Sequence, residues 1–166
     1  MKRRVVASGE WCEIACAVIG DGTQSPASTL LDELETNVWP NPNVEIYPDE
    51  YQTTQRTRLL ALVEAIAEGN DIRRGDFNYL HKGIWELKIQ DLRVSFFDTD
   101  GEGGWTEKTG SKISAWDGDQ WEFPELDELV RLGHCFAKTA PKTNETDLAR
   151  SIEVREEDAF HDKSSA

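Results

Sequence analysis

The sequence contains little cysteine. Its 166 residues include three, at Cys12, Cys16 and Cys135. On one strand, at ~3.3 Å per residue, the α-carbons of Cys12 and Cys16 would lie about 13 Å apart, which is too far for a disulfide. A zinc site formed by Cys12, Cys16 and His134 does not have one of the usual spacings. We therefore expect free, buried thiols in a reducing compartment, and neither a metal nor another cofactor.

Long apolar runs are also missing. None approaches the ~20 residues that a membrane-spanning helix needs. The opening segment, MKRRVVASGEW, has a basic triplet but no apolar core of signal-peptide length. These features predict a cytoplasmic protein that does not contact a membrane.

Basic residues are scarce. Lys and Arg total 18 against 32 Asp and Glu, so the formal net charge is −14. This argues against a general nucleic-acid coat protein, because the neutralisation of phosphates needs an electropositive face. Solubility or a salt-adapted host is sufficient to explain the acidity. A local basic patch remains compatible with it.

One segment reverses this charge. From Val130 to Asn144 there is no acid, whereas Arg131, His134, Lys138 and Lys142 follow each other closely. A strand that carries such a run in an acidic chain is the expected location of a functional face.

The first half of the chain has helical and strand-like patterns that suit one domain with a core. Alternating residues from Glu10 predict a strand. The segment SPASTLLDELET predicts a short helix with Ser25 as the N-cap and Pro26 in the first position. Apolar residues at helical spacing over 59–67 predict a longer helix that ends at Gly69.

Near residue 84 the apolar period changes from helical to alternating. The segments IWELKI and LRVSFF predict a hairpin with a two-residue turn at 90–91. Three apolar pairs then face each other on one side: Ile89 with Leu92, Leu87 with Val94, and Trp85 with Phe96. Lys88 lies opposite Arg93 on the solvent side, where like charges are costly unless an anion binds between them.

Residues 98–128 interrupt this pattern with an acidic, Trp-rich segment, interpreted as a long loop or extra hairpin whose tryptophans are packing anchors. A third strand and a helix with Asn144 as its N-cap follow. We expect residues 1–9 to be an extension, 10–160 the domain with an insertion at about 100–128, and 161–166 a tail. The insertion is hypothesised to lie over or beside the basic patch and screen it; a solvated decoration is the alternative.

The late strands carry the residues whose side chains could bind a ligand or take part in catalysis. No nucleotide-binding glycine loop, metal-ligand cluster or Ser/His/Asp pattern occurs in the sequence. Lys and Arg side chains can hold a phosphate and stabilise charge that builds on it, and His can act as an acid or base. The residues expected to converge there are Lys82, Lys88, Arg93, His134, Lys138 and Lys142.

The segments KGIWELKI, LRVSFF and LGHCFAKTAPKTNETDLARS together resemble the RelE/ParE superfamily of toxin–antitoxin toxins, in particular its phage-derived, HigB-like branch. The resemblance covers roughly residues 10–100 and 129–160. Its most specific part is a His-x-Phe-x-Lys-x₃-Lys-Thr run that leads into a helix. The matching positions in that run are His134, Phe136, Lys138, Lys142 and Thr143.

The resemblance implies an α+β fold, with a RelE-like antiparallel β-sheet packed against two N-terminal helices, a C-terminal helix and the inserted acidic loop. It implies a toxin that cleaves mRNA on the ribosome without a metal and that is silenced by a helix-turn-helix antitoxin. By position, it implies catalytic roles for Lys88, Arg93, Lys138 and His134. It implies RNA phosphate contacts for Lys82, Arg131 and Lys142.

Two other functions stay open. One is a gyrase-directed or other protein-binding member of the same fold without nuclease chemistry. The other is a repurposed phage-derived domain whose Trp-rich loop is a docking surface for a protein.

Overall fold

The architecture is a six-stranded sheet with helices on both faces, as described by a computed structural model over residues 2–39, 49–108, 110–115, 118–138 and 143–165. The strands are β1 (Val5–Ser8), β2 (Glu13–Cys16), β3 (Phe77–His81), β4 (Ile84–Ile89), β5 (Leu92–Thr99), β6 (Lys112–Ala115), β7 (Gly118–Trp121) and β8 (Leu129–Ala137). The helices are α1 (Pro26–Glu35), α2 (Asp49–Glu68) and α3 (Glu145–Ser165). The sheet order is β1-β2-β8-β5-β4-β3, and β6 and β7 form a separate hairpin.

Helix α1 begins as its sequence predicts. The backbone N–H of Ser28 donates to the side chain of Ser25, and Pro26 occupies the first turn. Both residues suit the start of a helix. The Ser hydroxyl accepts a hydrogen bond from an N–H group that has no partner within the helix, and Pro has no N–H group that would be left unpaired. The buried side is formed by Leu30, Leu31 and Leu34. The predicted cap and apolar stripe are confirmed.

Helix α2 ends at Gly69, also as predicted. Gly69 has a φ of 75°, a left-handed conformation that glycine adopts without steric cost. A Cβ at this position would overlap the indole ring of Trp11, so the glycine also permits a close approach. The end of α2 and the residues before β2 are thereby packed together.

The hairpin of β4 and β5 has the predicted register. Leu87 pairs with Val94 and Trp85 with Phe96 across the strands, and Gln90 lies in the turn with a φ of 55°. The apolar side of this hairpin joins α1, α2 and β2 in one buried cluster. The two early helices therefore cover one face of the sheet, as expected.

The predicted antiparallel sheet is instead mixed. β8 pairs antiparallel with β5 but parallel with β2, so that Ile14 lies beside Val130 and Cys16 beside Leu132. Parallel neighbours need a long connection between them, and here α1, α2, the three strands β3, β4 and β5, and the insertion lie between β2 and β8. The α+β class is confirmed. The first helix follows two strands, which differs from the arrangement that the resemblance implied.

The second face of the sheet is covered in part by α3. Val154 of this helix packs against Phe97 and Ala17. The helix continues to Ser165, so residues 161–165 of the expected tail are helical. The physical reason is the burial of His161 and Asp162 against the fold: the ring of His161 hydrogen-bonds the carbonyl oxygen of Gly20 at 2.8 Å.

A buried network of two cations and two carboxylates holds α3 to the sheet. Arg3 contacts Asp158 and Asp162 at 2.8 Å each, and Arg131 of β8 lies 3.5 and 3.6 Å from the same two side chains. Asp158 also accepts a hydrogen bond from the backbone of Val18. The first residues of the chain, expected to be an extension, thus contribute strand β1 and half of the positive charge of this network.

The insertion packs around the turn between β3 and β4. The indole N–H of Trp85 donates to the carbonyl oxygen of Lys108 at 2.8 Å, and the ring of Trp121 lies 5.1 Å from that of Tyr79. The guanidinium carbon of Arg155 lies over the ring of Trp105, 4.4 Å from the ring centroid. Trp121 is a packing anchor, and the insertion contains the extra hairpin β6–β7. Trp116 lies outside the described residues.

Within the described part of the chain, no helix is both long and apolar enough to cross a membrane.

Replacing Arg131 by Ala should lower the free energy of unfolding by about 3 kcal/mol, because Asp158 and Asp162 would remain buried with one cation fewer. Urea denaturation followed by circular dichroism measures this. Arg58→Ala, an exposed position on α2, is the control and should stay within about 0.5 kcal/mol of the parent. Equal stabilities of both variants would contradict a structural role for Arg131.

Candidate functional site

The candidate site lies on the α3 side of the sheet, at the end of the β4–β5 hairpin. Cross-strand pairing places Lys88 opposite Arg93, and Arg93 opposite Phe136 of β8. The chain leaves β8 at Lys138, whose backbone N–H donates to the carbonyl oxygen of Asp91 at 2.8 Å. Three cations from three strands therefore lie at one corner of the sheet.

A buried carboxylate lies at the centre of these cations. Glu86 is fully buried, and its Oε1 atom is 3.8 Å from Nε of Arg93 and 4.0 Å from Nζ of Lys138. The amide of Asn78 donates to the same oxygen at 3.5 Å. We call Glu86, Lys88, Arg93 and Lys138 the Glu86 cluster. With three cations and one carboxylate, the cluster is locally electropositive in a strongly acidic chain.

Burial shifts the pKa values of two members of the Glu86 cluster. Burial raises the pKa of the Glu86 carboxyl above its usual range, although Lys138 and Arg93 oppose this. Burial lowers the pKa of the Lys138 amine, with Glu86 acting in the opposite direction. In both groups desolvation outweighs the attraction between them. A lysine with a lowered pKa is a better proton donor than an exposed lysine.

Arg93 is held in place by its own turn. Its Nη1 group donates to the carbonyl oxygens of Gln90 and Leu92 at 2.6 and 3.0 Å. The side chain is 11% exposed. These bonds orient the guanidinium at the rim of the cluster.

His134 lies in an irregular part of β8. The register with β5 shifts here, and the N–H of His134 donates to the hydroxyl of Ser95 at 2.8 Å. The imidazole stacks on Phe136 at 5.2 Å between ring centroids, and Nε2 is 2.8 Å from Asp147 of α3. Burial lowers the pKa of His134, although Asp147 raises it. The ring thus connects β8 to the first turn of α3, where Asn144 caps the helix.

The structure brings four predicted residues to this corner: Lys88, Arg93 and Lys138 in the cluster, with His134 beside it. The other predicted residues are elsewhere. Lys82 lies in the turn before β4, about 20 Å along the strand from Lys88. Arg131 is 5% exposed and paired under α3, and Lys142 lies outside the described residues.

Glu86 and Asp147 contact the predicted site residues but were not predicted from the sequence as members of this site. Glu86 stands two positions before Lys88 in an alternating strand, which places both on one face. That spacing could have identified it. Asp147 gave no such signal, because its contact with His134 depends on where α3 docks.

The described residues contain no group of three His, Cys, Asp or Glu side chains arranged to hold a metal ion. Cys12 and Cys16 are free and buried, and burial raises the pKa of both thiols to about 11. Both thiols are therefore protonated near neutral pH.

The free energy of unfolding of Glu86→Gln, relative to that of the parent, should increase as the pH rises. Because the folded state raises the pKa of Glu86, its favourable contribution is complete below the usual Glu pKa and is lost as the pH rises through the raised value. Urea denaturation of both proteins between about pH 4 and pH 8 measures the difference.

Glu64→Gln, at an exposed position of α2, is the matched control for the loss of one carboxylate. If the parent instead gained stability over Glu86→Gln with rising pH, the attraction of Lys138 and Arg93 would outweigh the cost of burial.

No family model, no curated protein and no solved structure matches this chain. What the chain does is therefore inferred from its own residues.

Proposed function

We propose that this protein is a metal-independent endoribonuclease that inhibits translation, the toxin of a type II toxin–antitoxin pair, and that the Glu86 cluster binds the RNA phosphodiester. The observation that carries the proposal is the convergence of Lys88, Arg93 and Lys138 on one buried carboxylate. These cations are also among the residues to which the resemblance assigned the chemistry.

The cluster has the charge and geometry to hold a phosphate. Arg93 presents a planar guanidinium fixed by its turn, whereas Lys88 and Lys138 supply flexible point charges on both sides of it. Glu86 is too deeply buried to contact RNA and acts as a positioning residue for Arg93 and Lys138. Its single negative charge leaves an excess of positive charge for the ligand.

The proposed reaction uses the 2′-hydroxyl of the RNA as the nucleophile. Its oxygen attacks the adjacent phosphorus and loses its proton to water, while the bond from phosphorus to the 5′-oxygen breaks. The Lys138 ammonium gives a proton to the departing 5′-oxygen. Lys88 and Arg93 stabilise the negative charge on the phosphoryl oxygens in the transition state. His134 acts as a positioning residue, because its Nε2 is committed to Asp147.

Two partners complete the proposal. The substrate is mRNA on the ribosome, which would supply the orientation that an open sheet corner does not. The inhibitor is a helix-turn-helix antitoxin whose acidic side chains cover Lys88, Arg93 and Lys138. An acidic cover is favoured because these cations are concentrated at one corner of a chain with a net charge of −14.

The second candidate is a protein-binding member of the same fold without nuclease chemistry. It is favoured by the hydrogen bonds of Arg93 to its own turn and by the ion pairs that Glu86 makes with Arg93 and Lys138. These contacts give the cluster a role in joining β4, β5 and β8. In that case its cations stabilise the sheet corner, and RNA is not a ligand.

Lys138→Ala should reduce the rate of mRNA cleavage in a reconstituted translation reaction at least 100-fold, since it removes both a phosphate contact and the proton donor. Mapping of mRNA 5′ ends measures cleavage. Lys88→Ala should weaken the binding of RNA. It should also reduce the slope of log K against log salt concentration by about 0.7 for single-stranded RNA, because one phosphate contact is lost.

Arg58→Ala, on the opposite side of the sheet from the cluster, is the matched control and should cleave as the parent does. Circular dichroism establishes that each variant is folded. Full cleavage by folded Lys138→Ala would remove this lysine from the chemistry. No cleavage and no growth arrest by the parent protein would favour the second candidate.

A further inference from the structure

A pocket of about 600 Å³ opens on the face of the sheet that α1 and α2 cover. It lies between the end of α2, the link to β3 and the segment 121–126, which begins at the last residue of β7. Its size is within the range of small-molecule sites. The Glu86 cluster lies on the opposite face, so the proposed function does not use this pocket.

Trp11 forms an exposed wall of the pocket. The residue is 65% exposed, although tryptophan buries favourably. Its backbone N–H donates to the carbonyl oxygen of Ala67 at 3.0 Å, and its ring lies against Gly69. The indole is therefore held at the pocket before any ligand arrives, which lowers the entropic cost of binding.

The floor of the pocket is aromatic. Phe77 and Phe123 pack edge to face at 5.1 Å, and Phe123 stacks on Phe96 of the core at 5.8 Å. Trp121 and Leu126 also line the pocket. A rigid aromatic floor presents ring faces that attract cations as well as apolar groups.

The rim of the pocket is acidic. Asp71, Glu122 and Glu125 line it and are exposed, and Arg74 is the cation among its lining residues. Three carboxylates against one guanidinium give the rim a negative charge. A ligand with a positive end and an apolar body would satisfy both the rim and the floor.

We propose that this pocket binds an organic cation with an apolar body, such as an aromatic or alkyl ammonium compound. The apolar part lies on Phe77 and Phe123, and the ammonium group lies against Trp11 near Glu122 and Glu125. The aromatic face and the carboxylates attract the same charge, so they discriminate against neutral and anionic ligands of similar size.

The test uses benzyltrimethylammonium, with benzyl alcohol and phenylacetate as the neutral and anionic comparators. Each is titrated into ¹⁵N-labelled full-length protein, and the indole N–H signals of the tryptophans are followed by NMR. The signals of Trp11 and Trp121 should shift saturably with the cation, whereas that of Trp105, beside α3, should not. Binding should be at least about threefold tighter than that of benzyl alcohol, and phenylacetate should be the weakest.

Glu122→Gln and Glu125→Gln, at exposed positions, should each weaken binding of the cation about threefold without affecting folding. Trp11→Ala should weaken it about tenfold, and Trp105→Phe should leave it unchanged. The proposal is overturned if Trp11 and Trp121 do not respond to the cation. It is also overturned if benzyl alcohol binds equally well, or if the two Gln variants bind as the parent does.

Discussion

The position of β8 between β2 and β5 is the constraint on which the rest of the structure depends. Its parallel pairing with β2 joins the first strands of the chain to the late hairpins, and among the described residues no other strand pairing joins them. One side of β8 contributes Val130 and Leu132 to the main core. The other side contributes Arg131 to the network under α3. The strand ends beside Glu86, so its antiparallel pairing with β5 also forms the candidate site.

Buried charge is used in two different ways on the α3 side of the sheet. In the network under α3, two arginines meet two aspartates, and the balanced charges favour a structural role. In the Glu86 cluster, three cations share one carboxylate and lie nearer the surface. The excess positive charge there needs an anion from outside, or solvent, to offset it. The network under α3 has balanced charges, whereas the Glu86 cluster has excess positive charge. This difference in net charge distinguishes the structural network from the candidate site.

Aromatic contacts position the acidic insertion in the part of the chain that the structure describes. It contacts Trp85 and Tyr79 on the α1 and α2 side of the sheet and Arg155 of α3, around the turn that begins β4. Lys88 lies three residues beyond Trp85 and on the opposite face of that strand. Aromatic packing, a short-range interaction, decides where the segment lies. Its acids Glu122 and Glu125 then border the pocket beside Trp11 instead of the lysines.

Local pattern in the sequence determined the elements that depend on neighbouring residues. Ser25 and Pro26 start α1, Gly69 ends α2, and alternation sets the register of β4 with β5, because capping, left-handed backbone and strand periodicity act over a few residues. The same alternation placed Lys88 beside Arg93. Only the tertiary structure decided the parallel pairing of β8, the docking of α3 over Arg131 and the burial of Glu86 among cations. These features join residues far apart in the chain, and their free energies depend on desolvation, which arises only when the elements pack together.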